Sequence, residues 1–358
     1  MSTVKIGFVG VGNMGQCAHL KNYVGLPGVE VVAIAELQRA RAQKVAARYG
    51  IPRVYPSHVE MLAHEQLDGI VASQPFTRHG VLLPELYQAG IPVFTEKPLC
   101  GAIEVGENIL AALAASGTWH MVGYHKRSDP ATMYAKAEIE RLKASGELGA
   151  LKYVRILMPA GDWVAGGFWD VINNDGPDGQ LSWGSPENLE WDPPARDMDE
   201  ALNGRYIGFV NYYIHQVNLM RHLLGAPYTV VYADPTGVVL NVLSEENVAG
   251  VIEMSPYQTT IDWQESAFVC FERGWITLEL PAPLAFNRPG RVELFRDPGD
   301  GAAPQTLVPQ LPWTHAMRQQ AANFVAAIRG DMPPLCDAAE AMEDLKVARE
   351  YIRLLTGK

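Results

Sequence analysis

The 358-residue sequence predicts an α/β protein. An N-terminal Rossmann, doubly wound parallel sheet is followed by a C-terminal α+β domain with a large, mostly antiparallel open sheet. Three observations carry this reading. The chain opens with an apolar run that ends in a glycine turn and then a helical pattern. Apolar strands and helices alternate up to about residue 125, which makes a parallel sheet. Beyond Tyr228 the strand-like runs follow one another with few helices between them, which makes a largely antiparallel one. At about 150 residues per domain the length fits two domains, read as 1–125 and 126–358, with the C-terminal helices able to pack back on the first.

The elements follow in order. Residues 4–9 form a strand that ends in Gly10-Val11-Gly12-Asn13-Met14-Gly15, a G-x-G-x-x-G leading into a helix over about 14–24. Each glycine has a reason: Gly10 permits the tight turn, Gly12 leaves room for a pyrophosphate, and Gly15 lets the helix approach the strand. The helix N-terminus adds N–H donors and partial positive charge. A second strand, 29–35, ends at Glu36, 21 residues beyond Gly15 and near the spacing expected of the acid that holds ribose hydroxyls. A carboxylate there repels a 2′-phosphate, so the expected cofactor is NAD, with NADP less favoured. Gly10, Gly12, Asn13, Met14, Gly15 and Glu36 are the first cofactor positions.

The alternation continues through a helix at 38–49, a strand at 67–72, a helix at 80–89, a strand at 91–95, a helix at 102–116 and a strand at 119–124. After it come a helix at 131–145, a strand at 151–158 and a helical stretch at 207–224. Strands are expected at 230–233, 238–243, 248–254, 259–263, 267–272 and 275–280, with Arg273-Gly274 as a hairpin turn. Two helices, 315–328 and 338–355, close the chain, the second opened by Asp337 and Glu340 at capping-box spacing.

Composition excludes several classes. Forty acidic against 29 basic residues give a net charge of −11, which disfavours nucleic acid and anionic membrane surfaces as partners. No apolar run nears the roughly 18 residues of a membrane span, and the first residues do not read as a signal peptide. Four scattered cysteines (Cys17, Cys100, Cys270, Cys336) lack metal spacing and read as free thiols, so no metal is expected and the location is read as cytoplasmic.

At Thr95-Glu96-Lys97-Pro98-Leu99 the sequence resembles the Gfo/Idh/MocA oxidoreductases, the family of glucose-fructose oxidoreductase and inositol dehydrogenase. The resemblance rests on the glycine loop, Glu36, Ser73-Gln74-Pro75 with His79, Glu96-Lys97-Pro98, Arg127 and His215, and it is weak across 159–205. It implies an NAD(P)-dependent enzyme that transfers hydride to or from a secondary hydroxyl of a sugar, sugar derivative or cyclitol. It also implies a homodimer or homotetramer built through the C-terminal sheet. Ser73, Gln74, His79, Glu96 and Lys97 become cofactor positions, and Lys97 and His215 the catalytic pair. A lysine there can donate to the carbinol oxygen. Relatives usually carry Asp and His four residues apart on one helix face; here the pair is Asn211 and His215. Asn accepts no proton, so proton transfer falls to His215 or Lys97 and Asn211 orients a hydroxyl. A redox glycosidase that oxidises, eliminates and re-reduces, or a non-catalytic dinucleotide sensor, are the alternatives.

Tyr124, His125 and Arg127 follow the 119–124 strand and are expected on the substrate side, whereas Lys126 reads equally as a solvated basic turn. His19, His58, His64, His120 and His222 have no partner at catalytic spacing and read as structural or solvent-facing. The segment 159–205 holds four of the eight tryptophans and ten acidic residues against Arg196 and Arg205, so −8 of the net charge lies there. Long loops of this kind are functional or disordered, and the tryptophans argue against disorder. They either shape a sugar pocket, with Trp163 and Trp169 the better candidates, or anchor the loop; the two readings stand level.

Overall fold

The computed structural model describes residues 3–173, 190–299 and 301–357. The described residues divide into two compact units. One comprises Met1–Gly123, Gly167–Asn203 and Gln320–Glu343, the other Tyr124–Gly166, Gly204–Gln319 and Asp344–Lys358.

In the first unit six parallel strands, β1 (Val4–Val9), β2 (Val29–Ala35), β3 (Arg53–Tyr55), β4 (Gly69–Ala72), β5 (Val93–Glu96) and β6 (His120–Gly123), lie in the order β3-β2-β1-β4-β5-β6. The order reverses direction between β1 and β4, the switch point at which open α/β sheets bind ligands. The strands are short and apolar on both faces because helices cover both sides. Phe8, Ile34 and Phe94 from the strands, Tyr23 from the first helix and Phe324 from helix Ala316–Arg329 form one core. Phe8 and Tyr23 meet edge to face at 5.5 Å, and Phe94 and Phe324 are tilted against each other at 5.5 Å. The helical stretch expected over 14–24 opens as a π-helical turn, Gly15–Leu20, and continues as Lys21–Val24. Strand β3 and the helix His58–His64 are too short to give a periodic signal and are found only in the structure.

The second unit carries eight strands: β7 (Leu151–Ala160), β8 (Tyr228–Ala233), β9 (Val239–Ser244), β10 (Ala249–Gln258), β11 (Glu265–Phe271), β12 (Gly274–Leu280), β13 (Arg291–Arg296) and β14 (Gln305–Leu307). Their order is β14-β13-β12-β11-β7-β10-β9-β8; β7 and β10 are parallel and every other neighbouring pair is antiparallel. Helices Pro130–Ser145 and Ile214–Leu224 pack on one face, where Val154, Ile156 and Leu278 are buried.

Three expectations change here. The single helix expected at 207–224 is two, Glu200–Tyr212 and Ile214–Leu224. At Tyr213 (φ −93, ψ −3) the ladder tightens, Gln216 N–H donating to Tyr213 C=O, while the Tyr213 hydroxyl is tied to Ser255 Oγ at 2.8 Å. Residues 259–263 are not a strand. Thr259 Oγ1 donates to the Asp262 carbonyl and Trp263 N–H to the Asp262 carboxylate, side-chain turn bonds that replace a ladder. The hairpin after β11 turns at 272–273, with Gly274 already paired to Phe271. The Asp337 cap is present, its carboxylate accepting from Glu340 N–H at 2.8 Å. Among the described residues no helix is long and apolar enough to cross a membrane.

Candidate functional site

In the first unit the three loop glycines divide by what surrounds them. Gly10 has φ +89°, and a Cβ there would lie 2.5 Å from Gln74 Nε2 and 2.8 Å from the Ser73 carbonyl. A Cβ on Gly15 would lie 2.7 Å from the Gly10 carbonyl oxygen. Both glycines are therefore demanded by the protein's own packing. Gly12 is different: nothing lies within 4 Å of the Cβ it lacks. The fold leaves that space open at the mouth of the switch point, as the approach of a pyrophosphate requires. Asn13 is exposed and Met14 half-buried at its rim.

The loop is fixed from both sides. Val11 N–H donates to Glu36 Oε2 at 2.9 Å, and the Val11 carbonyl accepts from Gln16 Nε2 at 2.8 Å. Glu36 Oε1 accepts from Gln38 N–H at 3.0 Å. An ionised carboxylate has about four lone-pair positions, so two remain for ribose hydroxyls. The residues present thus fit a dinucleotide: an open glycine position, a helix start behind it, and a carboxylate at the end of β2.

At the end of β5, Glu96 Oε1 pairs with His19 Nε2 at 2.7 Å, the two side chains 13% and 2% exposed. Glu96 Oε2 accepts from Lys97 N–H at 3.2 Å. Lys97 is half-buried and the Lys97–Pro98 bond is cis. His19 stands 77 positions from Glu96, and no spacing rule marks the pair; only the β1–β4–β5 order brings them together. Ser73 and Gln74 are half-buried beside Gly10. His79 is fully buried, with Nδ1 2.8 Å from the Leu99 carbonyl, and burial holds its pKa below the usual imidazole range. It is therefore a neutral ring that donates from Nδ1 to the Leu99 carbonyl.

In the second unit Tyr124, His125 and His215 form one ring cluster. His125 and His215 are edge to face at 4.6 Å, and Tyr124 and His215 at 6.1 Å. His215 is half-buried on helix Ile214–Leu224, whereas Asn211 is exposed on the preceding helix, beyond the break at Tyr213. Lys126 is not a solvated turn. It is 4% exposed and paired with Glu265, whose other oxygen accepts from Gln216 Nε2 at 2.7 Å, and it lies 5.6 Å from the Trp263 ring. Arg127, 3% exposed, donates from Nε to Asn218 Oδ1 at 2.6 Å. Asn218 donates in turn to Asp344, which also accepts from Arg221 at 2.9 Å. Burial pushes the Asp344 carboxyl up while Arg221 pulls it down. A groove of about 670 Å³ beside this cluster is lined by Asp162, Tyr257, Trp263, Glu265 and Arg288.

The tryptophans separate. Trp163, in the second unit, is 36% exposed; Trp169, in the first, is 92% exposed; and Trp191 lies 4.0 Å beneath the Arg78 guanidinium. Trp183 lies outside the described residues. His120 is buried between the Tyr87 and Thr95 hydroxyls, and His58 pairs with Glu85 at 2.6 Å.

Residues 4–124 match the Gfo/Idh/MocA family, described as an oxidoreductase family with an NAD-binding Rossmann fold. An uncharacterized oxidoreductase, YrbE of Bacillus subtilis (strain 168), is 21% identical over 297 residues, 83% of this chain and 72% of the relative. The scyllo-inositol 2-dehydrogenase (NAD(+)) of the same organism is 29% identical over 153 residues, and that match spans 42% of this chain and 43% of the relative. Among solved structures, the aldose-aldose oxidoreductase from Caulobacter crescentus complexed with glycerol aligns at a TM-score of 0.69 with 15% identity, covering 99% of this chain and 98% of that one. An oxidoreductase from Agrobacterium radiobacter in complex with NAD+, L-tartaric acid and magnesium aligns at 0.68 with 13% identity, covering 100% and 98%. These structural likenesses show the same fold.

Proposed function

Because the chain belongs to the Gfo/Idh/MocA oxidoreductases and carries their NAD(P)-binding Rossmann domain, we propose that it is an NAD-dependent dehydrogenase of a secondary hydroxyl on a sugar, sugar derivative or cyclitol. The observation that carries this reading is the glycine loop, in which Gly10 and Gly15 are required by packing and Gly12 alone faces open space. Glu36 favours NAD, since its carboxylate would meet a 2′-phosphate as a like charge. When bound, the nicotinamide supplies the hydride acceptor. The chain's residues do the rest. Lys97, held at the end of β5 by a turn whose Glu96 is anchored on His19, donates to the carbinol oxygen. His215 takes the hydroxyl proton, with Tyr124 and His125 fixing its ring, and Asn211 orients the substrate. The carboxylates and aromatic faces of the groove beside Glu265 suit a polyol.

Asn211 favours one second reading, a redox glycosidase, because it removes the usual carboxylate. A panel of sugars and cyclitols with NAD and NADP, read by absorbance of the reduced cofactor, separates the two: stoichiometric NADH supports the dehydrogenase, and glycoside cleavage without NADH supports the other. Lys97→Met and His215→Ala are each expected to cut turnover by orders of magnitude; unchanged rates would remove these assignments. The outer sheet face, where Trp275 stacks on Phe295 at 5.7 Å, is the proposed homo-oligomer surface. Sedimentation of a Trp275→Arg variant tests it.

A further inference from the structure

Two stretches of the acidic, tryptophan-containing segment dock on the first unit, and they dock on either side of the β1/β4 switch point. On the β1 side, Ile172 joins the partly buried residues against the core and exchanges both backbone bonds with Gln16: Ile172 N–H to Gln16 Oε1 at 2.8 Å, and Gln16 Nε2 to the Ile172 carbonyl at 3.0 Å. Gln16 is 2% exposed, and the same Nε2 holds the Val11 carbonyl of the glycine loop. Next to it, the Asp170 carbonyl accepts from Arg48, and its carboxylate lies 3.9 Å from Lys21.

On the β4 side, Asp192 N–H donates to the Thr77 carbonyl at 2.7 Å, and both Asp192 oxygens accept from Gly80 N–H at 3.0 and 3.1 Å. Asp192 thus caps the first turn of helix His79–Tyr87 from 112 positions away. Trp191 stacks under Arg78, 2% exposed, at the same place. A Cβ on Gly80 would stand 2.5 Å from Asp192 Oδ1 and 2.7 Å from Val105 Cγ1, so a side chain at 80 would push the Asp192 carboxylate from its seat. The sequence carries no motif for either attachment.

We propose that residues 167–173 and 190–199 clasp the dinucleotide crevice of the first unit and slow the exchange of bound cofactor. Gln16 is the coupling element: one buried amide binds the clasp and the loop carbonyl beside the pyrophosphate position, so loosening the clasp loosens the loop. An enzyme built this way keeps its nicotinamide for longer than one encounter with substrate. The proposal rests on the cofactor reading above.

The experiment measures NADH dissociation from the full chain by stopped-flow fluorescence with excess NAD as trap. Asp192→Ala and Gly80→Ala, which empty the same seat from opposite sides, are each expected to raise the dissociation rate about fivefold, the scale of losing one helix cap. Asp192→Asn, which keeps an acceptor, should fall near the wild-type rate. Hydrogen exchange at residues 190–199 should slow when NADH is added to the wild-type chain and not when it is added to Asp192→Ala. Dissociation rates within twofold of wild type in both variants, with their melting temperatures retained, would overturn the clasp. If either variant fails to fold, the exchange measurement on the wild-type chain decides: protection supports the clasp, and none overturns it. A wild-type chain that binds neither NADH nor NADPH would overturn the cofactor reading itself, and the clasp with it.

Discussion

The buried histidines His79 and His120 of the first unit are neutral and bonded to near neighbours along the chain, whereas the buried ion pairs Lys126–Glu265 and Arg221–Asp344 of the second join residues far apart along it. His120 sits between Tyr87 Oη and Thr95 Oγ1, each at 2.8 Å and 33 and 25 positions away, and burial pushes its pKa down to about 3. His79 is likewise neutral on the Leu99 carbonyl. In the second unit Lys126 reaches Glu265 across 139 positions and Arg221 reaches Asp344 across 123. A neutral buried group needs only a hydroxyl or carbonyl, which any nearby strand offers. A buried charge needs a countercharge, and a folded antiparallel sheet must deliver it.

The strongest way to break this contrast is to remove one ion. Glu265→Ala leaves the Lys126 ammonium buried with its carboxylate gone, and the expected loss is about 3–5 kcal/mol in urea unfolding. The double variant Lys126→Met with Glu265→Leu removes both charges and should recover most of that loss. If Glu265→Ala costs under about 1 kcal/mol, Lys126 has found other solvation and the ionic description of the second unit fails.

In the first unit a buried histidine gives a readout in pH. His120 is neutral when folded, with its pKa below the ordinary 6.5, so the unfolded chain binds the extra proton and stability falls as pH drops from 6.5 towards 3. Between pH 6 and pH 4 this one group should remove about 2–3 kcal/mol. His120→Gln keeps an amide for both hydroxyls and does not titrate, so its stability curve should flatten over that window relative to the wild type. Parallel curves would mean that His120 already protonates inside the fold.

How much of this was legible follows the same division. The glycine loop, Glu36 at the end of β2 and the Glu96-Lys97-Pro98 turn are local patterns, set by backbone approach and strand ends, and the parallel sheet they imply is the one found. His19 reads as structural or solvent-facing, and the structure gives it the first role, as the anchor of Glu96; a hydrogen bond across 77 positions leaves no local trace. Lys126 reads equally as a solvated turn because Glu265, its reason for being buried, lies on the fifth strand further on, 139 positions away. The break at Tyr213 was hidden because Tyr213 keeps near-helical dihedrals, so the apolar period runs straight through it. The strand expected at 259–263 failed where Thr259 and Asp262 bonded locally, chemistry that a hydropathy pattern does not register.

The smallest effect on stability is expected at Gly12, the glycine proposed to face the cofactor. Gly15→Ala places a methyl 2.7 Å from the Gly10 carbonyl, a backbone atom that cannot swing aside, so about 1–3 kcal/mol of stability should be lost. Gly12→Ala meets nothing within 4 Å and has no positive φ to strain, so its unfolding should match the wild type to within about 0.5 kcal/mol. Its NADH affinity, read by fluorescence titration, should nevertheless fall at least about tenfold, because the methyl fills the space the pyrophosphate needs. A Gly12→Ala protein that binds NADH normally would show that the open space is not the cofactor's. One that unfolds easily would show that the loop, like Gly10 and Gly15, is shaped by the protein alone.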